Sequence, residues 1–90
     1  MTIQKMLIYK SWHRGMREAD LILGPFAGMY VNEFSPLHLK LYEEILEIPD
    51  AQLLAWIYKK EPVPEEMDNE VMQKIISFAH KGKNETIVLP

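Results

Sequence analysis

The segment SWHRGMREADLILG, residues 11–24, holds the side chains of this chain that are best suited to polar chemistry. Five ionisable residues and a glycine fall within eight positions: His13, Arg14, Gly15, Arg17, Glu18 and Asp20. An arginine presents a planar fork of N–H donors, and carboxylates accept such donors, so this set of residues suits the recognition of a polar surface. An apolar run follows directly, which is typical of a helix that buries one face.

Gly15 is the residue in this segment that a simple helix does not explain. Arg14 and Glu18 are four positions apart, so on a continuous helix they would form an exposed ion pair worth about 0.2–0.5 kcal/mol. A glycine inside that helix would cost about 0.5–1 kcal/mol relative to alanine. Gly15 fits better at a helix junction, where it permits an unusual backbone angle or the close approach of another backbone. From the residues alone, a solvated ion pair and a binding surface remain equally open.

Other chemistry finds little support in the sequence. The three histidines, His13, His38 and His80, are not at paired metal-ligand spacings, and there is no nucleophile elbow, phosphate loop or dinucleotide fingerprint. The residues therefore predict no catalytic group, no metal site and no enzyme activity. Trp56 lies beside an apolar stripe and is predicted to be core. Trp12 is either a core residue or part of the floor of a binding surface.

Composition restricts the class of protein further. The 90 residues predict a single domain over 1–90, and a hydrophobic fraction of 48% is sufficient for a core. No cysteine is present, which fits a reducing compartment, and we expect a cytoplasmic protein. The net charge of −3 argues against nucleic-acid binding, and no apolar run is long enough to insert into a membrane. The N-terminus is interpreted as part of the fold, and the expected partner is a protein or a small ligand.

Apolar residues at spacings of three and four predict five short amphipathic helices in a compact all-α bundle. Thr2 is the predicted cap of the first helix, and Pro25 is expected to kink or break a second helix over 16–30. The third helix is predicted to begin at Ser35-Pro36 and to end at Pro49. The fourth is predicted to be capped by Asp50, and the fifth to run from Glu65 to Lys81, with Gly82 just beyond its end. The predicted core includes Leu41, Ile45, Trp56, Val71, Ile75 and Ile76.

Two blocks of the sequence resemble a known family. RGMREAD contains an RGxxE motif formed by Arg14, Gly15 and Glu18, within YKSWHRGMREADLILGPFA. A second block, LYEEILEIPDAQLLAWI, has an apolar–acidic helix followed by Pro-Asp and a helix ending in Trp-Ile. Together these blocks are similar to the SdhE family of FAD assembly factors of succinate dehydrogenase, over roughly residues 3–78.

The resemblance implies a five-helix bundle that binds the flavoprotein subunit of succinate dehydrogenase, and in some members that of fumarate reductase, and promotes covalent attachment of FAD to it. Arg14 would offer donors to the partner, Glu18 would accept donors or orient Arg14, and Gly15 would allow close approach. A rim would consist of His13, Arg17 and Asp20. The FAD would belong to the partner, with no cofactor held stably by this chain, which we expect to be a monomer when free.

Two alternatives remain open at this point. The first is an antitoxin-type role, or another protein-interaction role unrelated to flavin. The second is a small enzyme or a direct carrier of FAD, against which the absence of a dinucleotide-binding pattern and the short chain both argue.

Overall fold

The computed structural model describes the backbone of residues 1–85 and the side chains of residues 1–81. Over this range the chain forms five α-helices and two short 3₁₀ turns. The helices are α1 (Ile3–Trp12), α2 (Arg17–Tyr30), α3 (Pro36–Ile45), α4 (Asp50–Ile57) and α5 (Glu70–Glu85), and the turns are Val31–Glu33 and Glu65–Met67. The prediction of an all-α bundle of five short helices is confirmed. Residues 86–90, most of the predicted tail NETIVLP, lie outside the described residues.

Side-chain caps begin two of the helices as the sequence predicts. The Thr2 hydroxyl accepts from the Lys5 backbone N–H at 3.1 Å at the start of α1. The Ser35 hydroxyl accepts from the His38 backbone N–H at 3.1 Å, and Pro36 occupies the first turn of α3. Each cap satisfies a backbone donor that the first turn of a helix leaves without a partner.

The fifth helix differs from its prediction at both ends. Glu65 lies in a separate 3₁₀ turn, and α5 begins only at Glu70. The cause is Asn69, whose Oδ1 accepts from the backbone N–H groups of Val71 and Met72, both at 3.0 Å. At the other end, Gly82 continues the helical backbone instead of ending it. Glycine is tolerated inside a helix, at a cost of about 1 kcal/mol relative to alanine.

Pro25 does not break α2, which is continuous from Arg17 to Tyr30. A proline inside a helix leaves the carbonyl four residues earlier without its usual donor, here the carbonyl of Leu21. Leu21 and Pro25 are both exposed, so water can reach this part of the helix. The predicted break is therefore wrong, because α2 places its proline on the solvent side.

The core is one apolar cluster to which every helix contributes. The pairs α1 with α2, α3 with α5, and α5 with both α2 and α4 pack against each other. Among the predicted core residues, Ile45, Trp56, Val71, Ile75 and Ile76 are buried, and Leu41 packs against the cluster with part of its surface exposed. The prediction of the core is confirmed. None of the helices within residues 1–85 is long and apolar enough to cross a bilayer.

Phe26 of α2 lies at the centre of an aromatic group within this core. Its ring centroid is 5.1 Å from that of Tyr30, 5.6 Å from that of Tyr42 and 5.7 Å from that of Phe78. Such distances are typical of tilted and edge-to-face ring pairs, which add to the stabilisation from burial. This group joins α2 to α3 and α5.

One buried polar pair crosses the apolar core. Ser11 of α1 donates its hydroxyl hydrogen to the carbonyl of Leu7 at 2.7 Å, and its oxygen lies 2.6 Å from the Tyr42 hydroxyl. Since the single hydrogen of Ser11 is used, Tyr42 must be the donor between the two side chains. Burial raises the pKa of Tyr42 to about 12, although the Ser11 hydrogen bond and the charge of Arg14 lower it in part. The Tyr42 side chain is thus neutral and fixes the distance between α1 and α3.

Candidate functional site

The predicted site residues lie in and next to the loop of residues 13–16, between α1 and α2. Because α2 begins at Arg17, Arg14 precedes the helix and is not one turn away from Glu18 on a continuous helix. Within the described residues the two form no ion pair, so the alternative of a solvated pair on a continuous helix is absent, and Gly15 lies at the junction of α1 and α2, as expected. Arg14 pairs instead with Asp50, at the start of α4.

The Arg14 guanidinium points into the protein. Its Nε donates to Asp50 Oδ1 at 2.7 Å, Nη1 donates to the carbonyl of Leu46 at 2.6 Å, and Nη2 donates to the carbonyl of Ile48 at 2.8 Å. The side chain retains only 10% exposure. In this chain alone, Arg14 is therefore not an exposed side chain, and three of its donors are already used within the chain. Arg14 connects the 13–16 loop to the segment between α3 and α4.

Asp50 holds two parts of that loop at once. One carboxylate oxygen accepts from Arg14 Nε, and the other accepts from the backbone N–H of Met16 at 2.9 Å. Asp50 was predicted to cap α4, but Pro49 occupies the cap position and Asp50 is the first helical residue. Its carboxylate is turned toward the 13–16 loop, where a positive guanidinium and a backbone donor compensate its charge. A negative group in the first turn of a helix is also favoured by the helix dipole.

Asp20 has a similar inward role. Its Oδ1 accepts from the backbone N–H of Arg14 at 2.6 Å, which closes the loop back onto the first turns of α2. Asp20 is only partly exposed, whereas it was expected to lie on the rim of a docking surface. Two of the six predicted site residues, Arg14 and Asp20, thus shape the loop from within.

Gly15 is exposed and its backbone is unstrained. No glycine among the described residues has a positive φ, so the unusual backbone angle that was one explanation for Gly15 is absent. A Cβ added to Gly15 would lie 3.4 Å from Asp50 Oδ2, which is an ordinary van der Waals distance. The fold itself therefore does not require glycine here.

The remaining predicted residues, His13, Arg17 and Glu18, face solvent. The His13 ring stacks on Tyr9, with centroids 3.9 Å apart, and its Nδ1 lies 2.8 Å from the Tyr9 carbonyl. Arg17 has no hydrogen bond or ion pair with any described residue. Glu18 lies near Tyr58, whose pKa is raised by burial and further by a hydrogen bond to Glu18 and by its charge. These side chains, with Gly15, form the outward surface of the loop.

Trp12 combines the two interpretations that the sequence left open. A Cβ on Gly24 of α2 would overlap the centre of the indole, at 2.5 Å from Cε2 and Cε3. Trp12 therefore packs directly on the α2 backbone, and Gly24 is required for that contact. The indole is nevertheless only partly covered, since 43% of the residue is exposed. Trp12 thus borders the outward surface of the loop.

Asp50 is the residue of this site that reasoning from the sequence missed. An aspartate after a proline, at the start of an apolar helix, fits a helix cap equally well, and no local pattern distinguishes the two roles. The available signal was the joint presence of the RGxxE motif and the Pro-Asp block. That signal associates the two segments, but it does not say that Asp50 contacts Arg14.

A concave region of the described surface lies away from this loop. A groove of about 750 Å³ runs between α3 and α5 and is lined by Tyr30, Phe34 and Phe78, with none of the predicted site residues. Among the described residues, no three His, Asp or Glu side chains are arranged to hold a metal ion.

Comparison with known proteins finds a family whose match includes this loop. The family described as flavinator of succinate dehydrogenase matches residues 5–79, which include most of α1, all of α2 to α4, the 13–16 loop and most of α5. The match therefore contains both Arg14 and Asp50.

Individual relatives agree with this family. The protein named succinate dehydrogenase assembly factor 2, mitochondrial, of Dictyostelium discoideum is 38% identical, over 94% of this chain and 58% of its own length. The protein of the same name in Scheffersomyces stipitis is 33% identical, over 93% of this chain and 59% of its own length. The relative of that name in Culex quinquefasciatus is 35% identical, over 88% of this chain and 51% of its own length. The chain thus spans little more than half the length of these relatives. It belongs to the succinate dehydrogenase flavinator family.

Proposed function

We propose that this chain is an assembly factor that binds the flavoprotein subunit of succinate dehydrogenase and promotes the covalent attachment of FAD to it. The observation that carries the proposal is Gly15, an exposed glycine among charged side chains for which the fold has no internal need. In a member of a flavinator family, a glycine of this kind fits the close approach of a partner. The names of the relatives, all succinate dehydrogenase assembly factors, support the same partner.

The docking surface consists of His13, Gly15, Arg17 and Glu18, with the exposed part of Trp12 at its edge. Arg17 and Glu18 carry opposite charges and offer several donors and two acceptor oxygens to a partner. Tyr58 next to Glu18 restricts that carboxylate, which reduces the conformational entropy lost on docking. Because the surface lies on the 13–16 loop, held by Arg14 and Asp50, and on the first turn of α2, it is already formed before the partner arrives.

The proposed contribution to flavin attachment is orientation. The reacting groups belong to the flavoprotein and its FAD, and this chain would hold the flavoprotein in the arrangement in which they meet. Holding reactants in place can contribute several kcal/mol to a barrier, so an assembly factor needs no reactive side chain of its own. We accordingly propose that FAD stays with the flavoprotein. The flavoprotein of fumarate reductase is a second client that the same surface would serve.

We further propose that the free chain is a monomer and that it acts where the flavoprotein folds. In the relatives, that place is named as mitochondrial. The cytoplasmic location expected from the sequence stays a prediction for this chain. Fractionation of cells that express it, followed by immunoblotting, tests that prediction.

The test of the function is flavin attachment in a cell that lacks this chain. Expression of the chain should increase the covalent flavin on the succinate dehydrogenase flavoprotein, seen as in-gel fluorescence after denaturation. Glu18→Gln should reduce the signal, because losing one charge contact at an interface weakens binding by about tenfold or more. Gly15→Ala should fold normally and also reduce it.

Two results would contradict the proposal. One is full attachment with a Gly15→Ala, Glu18→Gln double variant. The other is the recovery of a different main partner, such as a small toxin, when the native chain is captured from cells. Mixing the isolated chain with FAD and following flavin fluorescence tests the FAD-carrier alternative, and saturable quenching at micromolar chain would favour it.

A further inference from the structure

We infer that Asp50, which lies outside the RGxxE motif, is a positioning residue for that motif: it fixes the 13–16 loop so that the docking groups are presented to the flavoprotein. The inference rests on the proposed function for its partner, but its geometry belongs to this chain alone. Asp50 lies beside the Gly15 backbone but makes no hydrogen bond to any residue of the docking surface. It acts through Arg14 and Met16.

The first step of the argument is that the loop has little structure of its own. Residues 13–16 connect two helices without belonging to either. Their shape depends on contacts with other segments: the Arg14 backbone N–H donates to Asp20, and the Met16 backbone N–H donates to Asp50. Gly15 lies between these two anchored residues, with Asp50 Oδ2 beside it. Met16 is also the N-cap of α2, and its carbonyl accepts from the backbone N–H groups of Ala19 and Asp20. Without Asp50, the Met16 N–H would lose this acceptor, and the end of the loop would be held only through that carbonyl.

The second step concerns the side chain of Arg14. Its three hydrogen bonds go to Asp50 and to the carbonyls of Leu46 and Ile48. Among these acceptors only Asp50 carries a charge, and a charged acceptor makes a hydrogen bond roughly twice as strong as a neutral one. Removing that charge leaves a guanidinium of 10% exposure without a counter-ion, which favours its rotation toward water. The loop backbone would then move with it.

The third step is that one carboxylate performs both tasks. Asp50 Oδ1 accepts from the Arg14 side chain, and Oδ2 accepts from the Met16 backbone N–H. Because both oxygens belong to one planar carboxylate, the positions of Arg14 and Met16 are fixed relative to each other. An asparagine has one acceptor oxygen and can keep only one of these bonds. Asp50→Asn is therefore the variant that separates the anchors with the smallest change in volume, and Asp50→Ala removes both.

The experiment makes two measurements at a temperature at which circular dichroism shows each variant to be folded. One is the rate of covalent flavin attachment to the flavoprotein, and the other is the rate of hydrogen exchange at the Met16 amide in the free chain. Asp50→Ala should reduce the initial rate of attachment by about tenfold to a hundredfold, since small errors in position have effects of this size. The initial rate of attachment with Asp50→Asn should lie between the rates with Asp50→Ala and with the original chain. The amide of Met16 should exchange with solvent faster in Asp50→Ala, and in Asp50→Asn if the single asparagine oxygen stays on Arg14.

Asn69→Ala is the matched control. It removes the acceptor of two backbone bonds at the start of α5 and should lower the melting temperature, yet it touches no residue of the 13–16 loop. It should therefore keep the full rate of attachment and the original exchange at Met16. A variant that loses stability without losing attachment shows that a loss at Asp50 is not a general effect of a weaker fold.

An Asp50→Ala chain that is folded and attaches flavin at the full rate would overturn the inference. If Asp50→Ala does not fold, Asp50→Asn decides, and a full rate together with faster exchange at Met16 would overturn it as well. Failure of the proposed function is a different result: the original chain would not increase covalent flavin at all. The exchange of Met16 in the free chain would then still measure whether Asp50 positions the loop.

Discussion

The core around Phe26 and the loop of residues 13–16 are both held by several contacts, but the contacts differ in kind. Phe26 is surrounded by rings and aliphatic side chains, whose stabilisation depends on buried area and not on direction. The loop is held by short, directed bonds from Arg14 and Met16 to oxygens of another segment. The first arrangement stabilises the fold as a whole, and the second fixes the shape of one surface. Substitutions in the two regions should therefore differ in whether stability and function are lost together.

The largest expected effect is that of Phe26→Ala. The ring is fully buried among three other aromatic side chains of α2, α3 and α5, so its loss leaves a large cavity. We expect the free energy of unfolding to fall by about 3–5 kcal/mol, measured by urea denaturation. At temperatures where the variant is still folded, Met16 exchange should be unchanged. A loss below 1 kcal/mol would mean that the core closes around the gap.

Arg14→Ala should cause the next largest loss of stability. It is expected to affect both stability and the shape of the docking surface. For an exposed residue, the change in stability usually lies within about ±0.5 kcal/mol. With three hydrogen bonds and a largely buried guanidinium, we now expect a loss of about 1–3 kcal/mol. Combining Arg14→Ala with Asp50→Ala should cost less than the sum of the two single changes. Strict additivity would contradict the ion pair.

Ser11→Ala and Tyr42→Phe test the buried polar pair, and the order of their effects follows from the donor assignment. Ser11→Ala leaves the Tyr42 hydroxyl buried without its acceptor, and we expect a loss of about 1–3 kcal/mol. Tyr42→Phe leaves Ser11 bonded to Leu7, so the loss should be smaller. The opposite order in thermal melts would mean that Ser11, not Tyr42, is the donor.

The same pair predicts a dependence on alkaline pH. Because the pKa of Tyr42 is about 12 in the folded chain and 10.0 for an ordinary tyrosine, the folded state holds its proton more strongly. The stabilisation from this difference is complete below pH 10 and is lost as the pH rises through 12, by roughly 2–3 kcal/mol in total. The stability of the original chain relative to Tyr42→Phe should fall by that amount over the interval. A constant difference would contradict the raised pKa.

Gly28→Ala should have the smallest effect, and of opposite sign. Gly28 lies within α2, and a Cβ added there would have no neighbour within 4 Å. The gain in helix propensity should stabilise the chain by about 0.5–1 kcal/mol. Gly24→Ala in the same helix is the control, because its Cβ would collide with Trp12 and the variant should be destabilised. A matching response of both variants would show that helix propensity alone governs α2.

These contrasts also explain how far the sequence could predict the molecule. Helical spacing identifies residues such as Ile45 and Ile75, because burial on one face of a helix is a property of local sequence. The direction of the Asp50 side chain is not such a property, because it depends on a contact between segments 36 positions apart. The continuity of α2 through Pro25 depends in the same way on which side of the helix meets solvent. Local rules therefore predicted the helices and the core, and were insufficient for the loop.

Because the two tryptophans differ in burial, their intrinsic fluorescence can distinguish unfolding of the chain from binding of a partner. Trp56 is 7% exposed within the core, so its emission will shift to longer wavelength only when the bundle unfolds. Trp12 is 43% exposed beside the docking loop, so its emission will shift to shorter wavelength when a partner covers the indole. Chains with a single tryptophan, made with Trp56→Phe or Trp12→Phe, would allow binding and unfolding to be followed separately in one cuvette without any added label.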